Sequence, residues 1–204
     1  MNNQVVTVFG SARPAPGEPE YVLAYDVGVA LAGAGFIVCN GGYAGTMEAS
    51  ARGAKDAGGA TMGIISDQFP LRKANLWIDS VFTVDTMISR MLELVKRGDA
   101  YVVLKGGTGT LLELATVWEF MNKGLLKPKP TIVVGAFWES VVQTVTEELS
   151  AEGRHEAARY VTVVGTAEEC ADRLVRALAP GKAKPASALQ NARAGRTHRH
   201  GGTE

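Results

Sequence analysis

The sequence predicts an α/β protein with a Rossmann-like, doubly wound parallel sheet in a single domain. Short apolar runs alternate along the chain with longer stretches of helical periodicity. The runs are continuously apolar, which is typical of strands covered by helices on both faces. With 204 residues and 46% hydrophobic content, the chain is long enough for one substantial core and short for two.

Seven strands are predicted where β-branched and other apolar residues are bounded by glycine or polar turns. The first run stops at Gly10-Ser11, and the second is followed at once by Gly41-Gly42. The predicted strands cover residues 5–9, 36–39, 60–65, 81–84, 101–104, 131–134 and 160–164. The polar stretch 67–77 is a long connection that is either a lid or plain surface.

Helices are predicted between these strands. Pro19 lies in the first turn of the first helix, and glycines end it. Asp85 or Thr86 caps the third helix. The predicted helices cover residues 19–33, about 46 to 57, the stretch from that cap to Arg97, the stretch from the glycine turn at 106–109 through Met121, 137–150 and 167–178.

The charge is unevenly distributed along the chain. Residues 180–204 carry five lysines and arginines against one glutamate, 5 − 1 = +4, so the remaining residues carry −4. A negative body argues against nucleic-acid binding, and we expect the basic tail to be disordered. Because no apolar stretch is long enough to span a membrane and the N-terminus lacks a signal-peptide pattern, we expect a cytoplasmic protein that does not bind membranes.

Several classes of chemistry are disfavoured by missing motifs. Cys39 and Cys170 are the only cysteines, without CxxC or Cys/His spacing, so neither a disulfide framework nor a metal site is expected. The chain lacks G-x-G-x-x-G and G-x-x-x-x-G-K-[ST], which disfavours a dinucleotide-dependent hydride-transfer enzyme and a P-loop NTPase. No Ser/His/Asp set is credible. We expect no cofactor.

The stretch Lys105 to Glu113 is where we expect chemistry. Its glycines at 106, 107 and 109 allow the backbone to approach a ligand closely, and a helix that starts there points N–H groups at the same space. The sequence therefore predicts an anion site. Glu113 beside it is either functional or a solvated acid that the helix dipole favours.

Arg90 is predicted to lie at the same edge of the sheet. From Arg90 to Arg97 the third helix travels away from that edge by about 10 Å, at ~1.5 Å per residue. The following strand returns by about 13 Å, at ~3.3 Å per residue. A guanidinium and a carboxylate would then flank the phosphate loop. The alternative is a surface ion pair of Arg90 with Glu93 or Asp85.

These motifs resemble the LOG family, named for the cytokinin-activating "Lonely Guy" proteins. The family hallmark P-G-G-x-G-T-x-x-E is similar to residues 105–113, and Ser89-Arg90-Met91 and residues 40–48 add to the likeness, which extends from about Val5 to Val145. The resemblance implies a Rossmann-like domain over residues 1–179, a homodimer or larger homo-oligomer, and hydrolysis of the N-glycosidic bond of nucleoside 5′-monophosphates, such as AMP or a cytokinin ribotide, to free base and ribose 5-phosphate.

The resemblance also implies roles for individual residues. Arg90 and Glu113 would be the catalytic pair: the carboxylate would stabilise a ribosyl cation or orient the attacking water, and the arginine would hold the phosphate or the leaving base. Glu48 matches an acid of some branches, although a helix first-turn role is equally open. The predicted phosphate and nucleotide contacts are Gly10, Ser11, Gly41, Gly42, Gly45, Glu48, Lys105, Gly106, Gly107, Thr108, Gly109 and Thr110.

The chain departs from the family pattern at three positions. Lys105 replaces the motif proline, Thr116 stands where plant-type members have another glutamate, and Asn40 replaces the first glycine of the earlier loop. Lys105 either adds a cation for phosphate or points to solvent. Two other functions stay open: a non-catalytic nucleotide or molybdenum-cofactor binding or carrier protein of the same fold, and a purely structural oligomer, suggested by apolar helix faces around Trp118 and Trp138.

Overall fold

The computed structural model describes residues 4–69 and 73–179. Within them, seven strands alternate with six α-helices and two short 3₁₀ turns. The strands are β1 Val5–Phe9, β2 Ile37–Asn40, β3 Thr61–Ser66, β4 Ser80–Val84, β5 Ala100–Val103, β6 Thr131–Val134 and β7 Val161–Val164. The helices are α1 Pro19–Gly33, α2 Thr46–Asp56, α3 Met87–Arg97, α4 Thr108–Asn122, α5 Glu139–Ala151 and α6 Ala167–Leu178.

All seven strands form one parallel sheet in the order β4-β3-β2-β1-β5-β6-β7. The chain builds outward from β1 to β4, returns through α3 to the other side of β1, and builds outward again. The strand order therefore reverses between β1 and β5. In open parallel sheets this switch point, beyond the carboxyl ends of the strands, is where ligands bind.

Each face of the sheet packs on three helices, as a doubly wound sheet requires. One core contains side chains of α1, α2 and α6, and the opposite core contains side chains of α3, α4 and α5. Trp118 and Trp138 are buried in the second core, and their indole N–H groups donate to Ala157 O at 2.8 Å and Leu104 O at 2.9 Å. These tryptophans are core residues, so they give no support to a structural oligomer.

Glycines allow α1 and α2 to pack unusually closely. A Cβ atom on Gly28 would lie 2.1 Å from the Ser50 carbonyl oxygen, and one on Gly53 would lie 2.1 Å from the Tyr25 carbonyl oxygen. Both distances are far inside van der Waals contact. Helix α2 is therefore held directly against α1.

The predicted elements are confirmed with small shifts at their ends. The cap of α3 is Thr86, whose hydroxyl accepts from Ser89 N at 3.0 Å. In the predicted connection 67–77, Asn75 Nδ2 donates to the carbonyl oxygens of Gly42 at 3.2 Å and Tyr43 at 2.8 Å, so this loop is tied to the loop after β2. Pro70 and Arg72 of that loop, and the tail 180–204 predicted to be disordered, lie outside the described residues. None of the described helices is both long and apolar enough to cross a bilayer.

Candidate active site

A cavity of about 390 Å³ opens at the switch point, between the loops that follow β1, β2 and β5. It joins residues from distant parts of the sequence at the carboxyl edge of the sheet. The predicted site residues in its wall are Gly10, Ser11, Gly41, Arg90, Gly107, Thr108, Gly109, Thr110 and Glu113. The loops therefore converge as the strand arrangement predicted.

The first turn of α4 forms one wall of the cavity. Gly107 is the N-cap residue, and no side chain caps the helix there. The first N–H groups of an α-helix have no partner within the helix and carry its positive dipole end. A Cβ atom on Gly107 or Gly109 would meet no atom within 4 Å, so the space in front of these residues is open. This wall is suited to an anionic oxygen.

The loop after β1 is joined to the start of α2. Ser11 O accepts hydrogen bonds from the backbone N–H of Thr46 at 2.8 Å and from its hydroxyl at 3.0 Å. A Cβ atom on Gly10 would lie 2.3 Å from the same hydroxyl oxygen, so glycine is required for this approach. The Ser11 hydroxyl accepts from Arg13 N at 3.1 Å, which closes the loop on itself.

Asn40 organises the loop after β2. Its side chain is fully buried and accepts from Gly42 N at 2.8 Å while donating to Met47 O at 2.8 Å. Gly42 and Gly45 adopt φ values of 75° and 72°, a left-handed conformation that favours glycine. The asparagine that departs from the family pattern thus ties both ends of this loop together by side-chain hydrogen bonds.

Arg90 crosses from α3 to the loop after β2. Its Nε donates to Ile64 O at 2.7 Å and its Nη2 donates to Gly41 O at 2.8 Å. The guanidinium carbon also lies 5.1 Å from the centre of the Tyr43 ring. The surface ion pair considered as an alternative is not formed with Glu93, which instead binds Arg97 Nη2 at 2.7 Å. Arg90 is therefore held at the cavity wall by backbone carbonyls.

Glu113 lies in the second turn of α4 and is partly buried in the cavity wall. Burial raises the pKa of its carboxyl to about 7, and the positive charge of Arg90 acts in the opposite direction. Such a group exchanges a proton near neutral pH, as general acids and bases must. Glu113 is thus not the solvated first-turn acid of the alternative interpretation.

Lys105 does not line the cavity, contrary to the expectation that it contacts the ligand. Its ammonium group makes a hydrogen-bonded ion pair with Glu20 at the start of α1 and lies 5.5 Å from the centre of the Phe137 ring. Lys105 follows the buried Leu104, lies beyond the last residue of β5 and is exposed. The lysine that replaces the motif proline therefore links the loop after β5 to α1 through its ion pair with Glu20.

Four other predicted contacts also lie behind the wall rather than in it. Glu48 accepts a hydrogen bond from the Tyr21 hydroxyl at 3.0 Å, which makes it part of the α1–α2 packing. Gly42, Gly45 and Gly106 are backbone requirements: a Cβ on Gly106 would lie 2.2 Å from the Thr110 hydroxyl oxygen, and one on Gly45 would lie 2.3 Å from Ser11 O. These three glycines allow the loop conformations that place adjacent residues of the same loops in the cavity wall.

Sequence reasoning missed several wall residues. They are Arg13, Tyr43, Met47, Phe69 and Met87. Tyr43 and Phe69 meet edge to face with their ring centres 6.2 Å apart, forming an aromatic corner beside Arg90. Arg13 lies in the loop after β1, two residues beyond Ser11, and this closeness to the predicted contacts Gly10 and Ser11 was the signal that could have identified it.

Together, the sheet and this cavity define a Rossmann-like α/β protein whose switch-point site combines an anion-accepting helix start with a carboxylate of raised pKa. The model of the SLOG cluster4 family matches residues 3–158. The chain belongs to this family, and its likeness to the LOG proteins is confirmed.

Two relatives and one solved structure illustrate the likeness. The chain is 39% identical over 115 residues to the cytokinin riboside 5′-monophosphate phosphoribohydrolase of Mycobacterium tuberculosis, covering 55% of this chain and 61% of that protein. It is 30% identical over 129 residues to an Arabidopsis thaliana protein of the same description, covering 62% of this chain and 61% of that protein. Each match spans about three-fifths of the relative's length.

The molybdenum cofactor carrier protein of Chlamydomonas reinhardtii has a solved structure that superposes with a TM-score of 0.71. The match covers 87% of this chain and 99% of that chain at 21% sequence identity. At this identity the likeness concerns the fold, which it confirms.

Proposed function

We propose that this protein hydrolyses the N-glycosidic bond of nucleoside 5′-monophosphates, AMP or a cytokinin ribotide, to free base and ribose 5-phosphate. The observation that carries the proposal is the position of Glu113. Its carboxyl group, with a pKa of about 7, lies in the same 390 Å³ cavity as Arg90 and the start of α4. A phosphate bound at the helix start would present the attached ribose to this carboxylate.

The chemistry needs a base near the anomeric carbon. In the ionised form, Glu113 accepts a hydrogen bond from a water molecule and takes its proton as the water oxygen bonds to C1′. The C1′–N bond breaks, its electron pair leaves with the base, and the base takes up a proton from solvent. Glu113 then returns the proton that it took from the water to solvent, which restores the carboxylate. A carboxylate also stabilises the positive charge that develops on the ribosyl ring.

Arg90 has a supporting electrostatic role in this proposal. Because its Nε and Nη2 are bound to carbonyl oxygens of Ile64 and Gly41, its guanidinium stays in one place. There its charge opposes the effect of burial on the pKa of Glu113 and attracts a phosphate dianion. An arginine fixed in this way needs no reorganisation during the reaction.

The relatives support the proposal through their descriptions as cytokinin riboside 5′-monophosphate phosphoribohydrolases. The matches span about three-fifths of each relative's length. The substrate and the complete activity are therefore our proposal for this chain.

The proposal is tested by product analysis. The purified protein is incubated with AMP, a cytokinin ribotide, GMP and CMP, and the products are separated by chromatography. We expect equal amounts of free base and ribose 5-phosphate from at least one of them. If no nucleoside monophosphate releases its base, the enzyme proposal fails.

The alternative is a non-catalytic nucleotide or molybdenum-cofactor carrier. The solved structure described as a molybdenum cofactor carrier protein resembles this chain in fold alone, at 21% identity. A carrier has no need of a carboxylate of raised pKa in its cavity, and this favours the enzyme. A ligand that raises the melting temperature and is recovered intact would instead support the carrier.

A homodimer is also part of the proposal. Helices α3 and α4 pack next to each other on one face of the sheet, and both carry exposed apolar side chains. We call these side chains, which are between 39% and 52% exposed, the apolar patch: Met87, Ile88, Leu92, Leu111 and Leu112. Adjacent exposed apolar residues of this kind typically mark an interface. Met87 belongs both to the patch and to the cavity wall, so a partner chain would cover the cavity rim. The cytoplasmic location stays a prediction.

A further inference from the structure

Arg13, like Arg90, lies in the cavity wall. Its main chain is fixed, because Arg13 N donates to the Ser11 hydroxyl at 3.1 Å. Its side chain is exposed, and its guanidinium makes no hydrogen bond or ion pair with any residue of 4–69 or 73–179. Arg13 therefore lines the cavity with a charged fork of five N–H donors that has no partner among the described residues.

Two other cations at this edge of the sheet, Arg90 and Lys105, are already bound. Arg90 donates to the carbonyl oxygens of Ile64 and Gly41, and Lys105 pairs with Glu20 outside the cavity. The sequence suggested Lys105 as an extra cation for phosphate. In the structure, Arg13 lies in the cavity wall and Lys105 does not.

The loop of Arg13 begins beside the loop that starts α4. Strands β1 and β5 are paired up to Phe9 and Val103, and Leu104 N donates to Phe9 O at 2.9 Å. The loops that follow β1 and β5 therefore start side by side, and both loops line the same cavity. An anion bound in front of Gly107 and Thr108 would therefore lie in the cavity that Arg13 also lines.

The charge of the cavity is also suited to a dianion. Among the residues that the structure describes, the charged ones in its wall are Arg13, Arg90 and Glu113. A phosphate monoester carries ≈ −1.5 to −2 charges at neutral pH, and arginine binds phosphate through two parallel hydrogen bonds.

We infer that Arg13 binds the phosphate group of the substrate, clamping it against the first turn of α4. This assignment rests on the proposed function for the identity of the substrate. It makes Arg13 a substrate-binding residue that acts in the ground state and the transition state alike. Its loss should therefore raise KM and leave kcat nearly unchanged.

Binding of ribose 5-phosphate and of ribose, measured by calorimetry, tests the inference without relying on catalysis. The wild type, Arg13→Gln, Arg13→Lys and the control Arg173→Gln, an exposed arginine on α6, are compared. For Arg13→Gln we expect affinity for ribose 5-phosphate to fall about 10- to 100-fold. The affinity of Arg13→Lys should lie between those of the wild type and Arg13→Gln, because lysine keeps the positive charge but lacks the two parallel N–H donors of arginine. Arg173→Gln should match the wild type, and ribose should bind weakly to all four.

The inference is overturned if Arg13→Gln binds ribose 5-phosphate as the wild type does, or if the wild type does not bind it. Kinetics with AMP give a second readout: a fall in kcat at unchanged KM also contradicts a clamp. The two proposals fail separately. If binding of ribose 5-phosphate depends on Arg13 but no nucleotide is cleaved, the hydrolase proposal fails and the role of Arg13 in phosphate binding stands. If nucleotides are cleaved and Arg13→Gln changes neither cleavage nor binding, the hydrolase proposal stands and the role of Arg13 fails.

Discussion

The carbonyl oxygen of Gly41 accepts a hydrogen bond from Arg90 Nη2 at 2.8 Å, and a Cβ atom on Gly41 would lie 1.6 Å from that same nitrogen. The glycine is therefore required by the arginine and not by its own backbone conformation. This pair joins the loop after β2 to α3, and it sets where the positive charge lies relative to Glu113.

Replacing Gly41 by alanine should displace Arg90 from the cavity wall. The side chain would lose its bond to Gly41 O, and we expect a loss of about 1–3 kcal/mol in the free energy of unfolding. A shift of about 1 Å in a catalytic group can cost ~10²-fold in rate, so kcat/KM for AMP should fall by about that factor.

The matched control for this substitution is Gly33→Ala, at the end of α1. A Cβ atom there would meet no atom within 4 Å. This control should be as active as the wild type and equal or greater in stability, by ~0.4–1 kcal/mol. Equal activity of Gly41→Ala and the wild type would contradict the role given to the Arg90–Gly41 pair.

Catalysis should require the ionised form of Glu113. Its pKa of about 7 predicts that kcat/KM for AMP rises with pH through about 7 and levels off above it. The nucleotide phosphate itself titrates near ~6, so binding of ribose 5-phosphate over the same pH range serves as the correction. A corrected profile that is flat or falls between pH 6 and about 8 would show that Glu113 is not the base.

Glu113 should also reduce stability at high pH. The pKa of the folded state is about 7, raised by burial above the ordinary value of 4.5. The stabilisation from the protonated form is therefore complete below about pH 4.5 and is lost as the pH rises through about 7. The loss between these limits is on the order of 3 kcal/mol.

Urea unfolding of wild type and Glu113→Gln checks this pH dependence. The glutamine variant should be more stable than the wild type at about pH 8, by up to ~3 kcal/mol, and similar to it near pH 4.5. Glu119→Gln, which removes an exposed acid of the same helix, is the control and should show no such gain. A stability difference that does not change with pH would contradict the buried position of Glu113.

The apolar patch on α3 and α4 predicts a dimer that a charge should disrupt. Ile88 is 52% exposed within the patch, and Ile88→Glu should yield a monomer in sedimentation or light scattering. Val22→Glu places the same charge at a 46% exposed valine on α1 and should leave the dimer intact. A monomeric wild type at micromolar concentration, or a dimeric Ile88→Glu variant, would exclude this interface.

The sequence predicted the local elements and the level of Arg90 along the sheet. Arg90 was placed well because the helix that leaves the edge and the strand that returns have nearly equal lengths. The strand order was not predicted beyond a parallel sheet, since it depends on which strands pair across the chain. Thr86 and Asp85 were equivalent as caps in sequence, and only the hydrogen bond to Ser89 N distinguishes them.

The parts of the site that could not be predicted depend on contacts between distant residues. The position of Lys105 depends on its ion pair with Glu20, a residue of α1 that is 85 positions earlier in the sequence. The raised pKa of Glu113 comes from burial that no local pattern reports. Arg13 was missed because it lies in a loop of glycine and proline without periodicity.

The most direct test separates binding from cleavage at Glu113. AMP binding by calorimetry and release of adenine by chromatography are measured on the wild type and on Glu113→Gln, with Glu119→Gln as the control. We predict that Glu113→Gln binds AMP with an affinity within about tenfold of the wild type, one step of ~1.4 kcal/mol, and releases no adenine. Release of adenine by Glu113→Gln at the wild-type rate would contradict the assignment of Glu113 as the catalytic carboxylate.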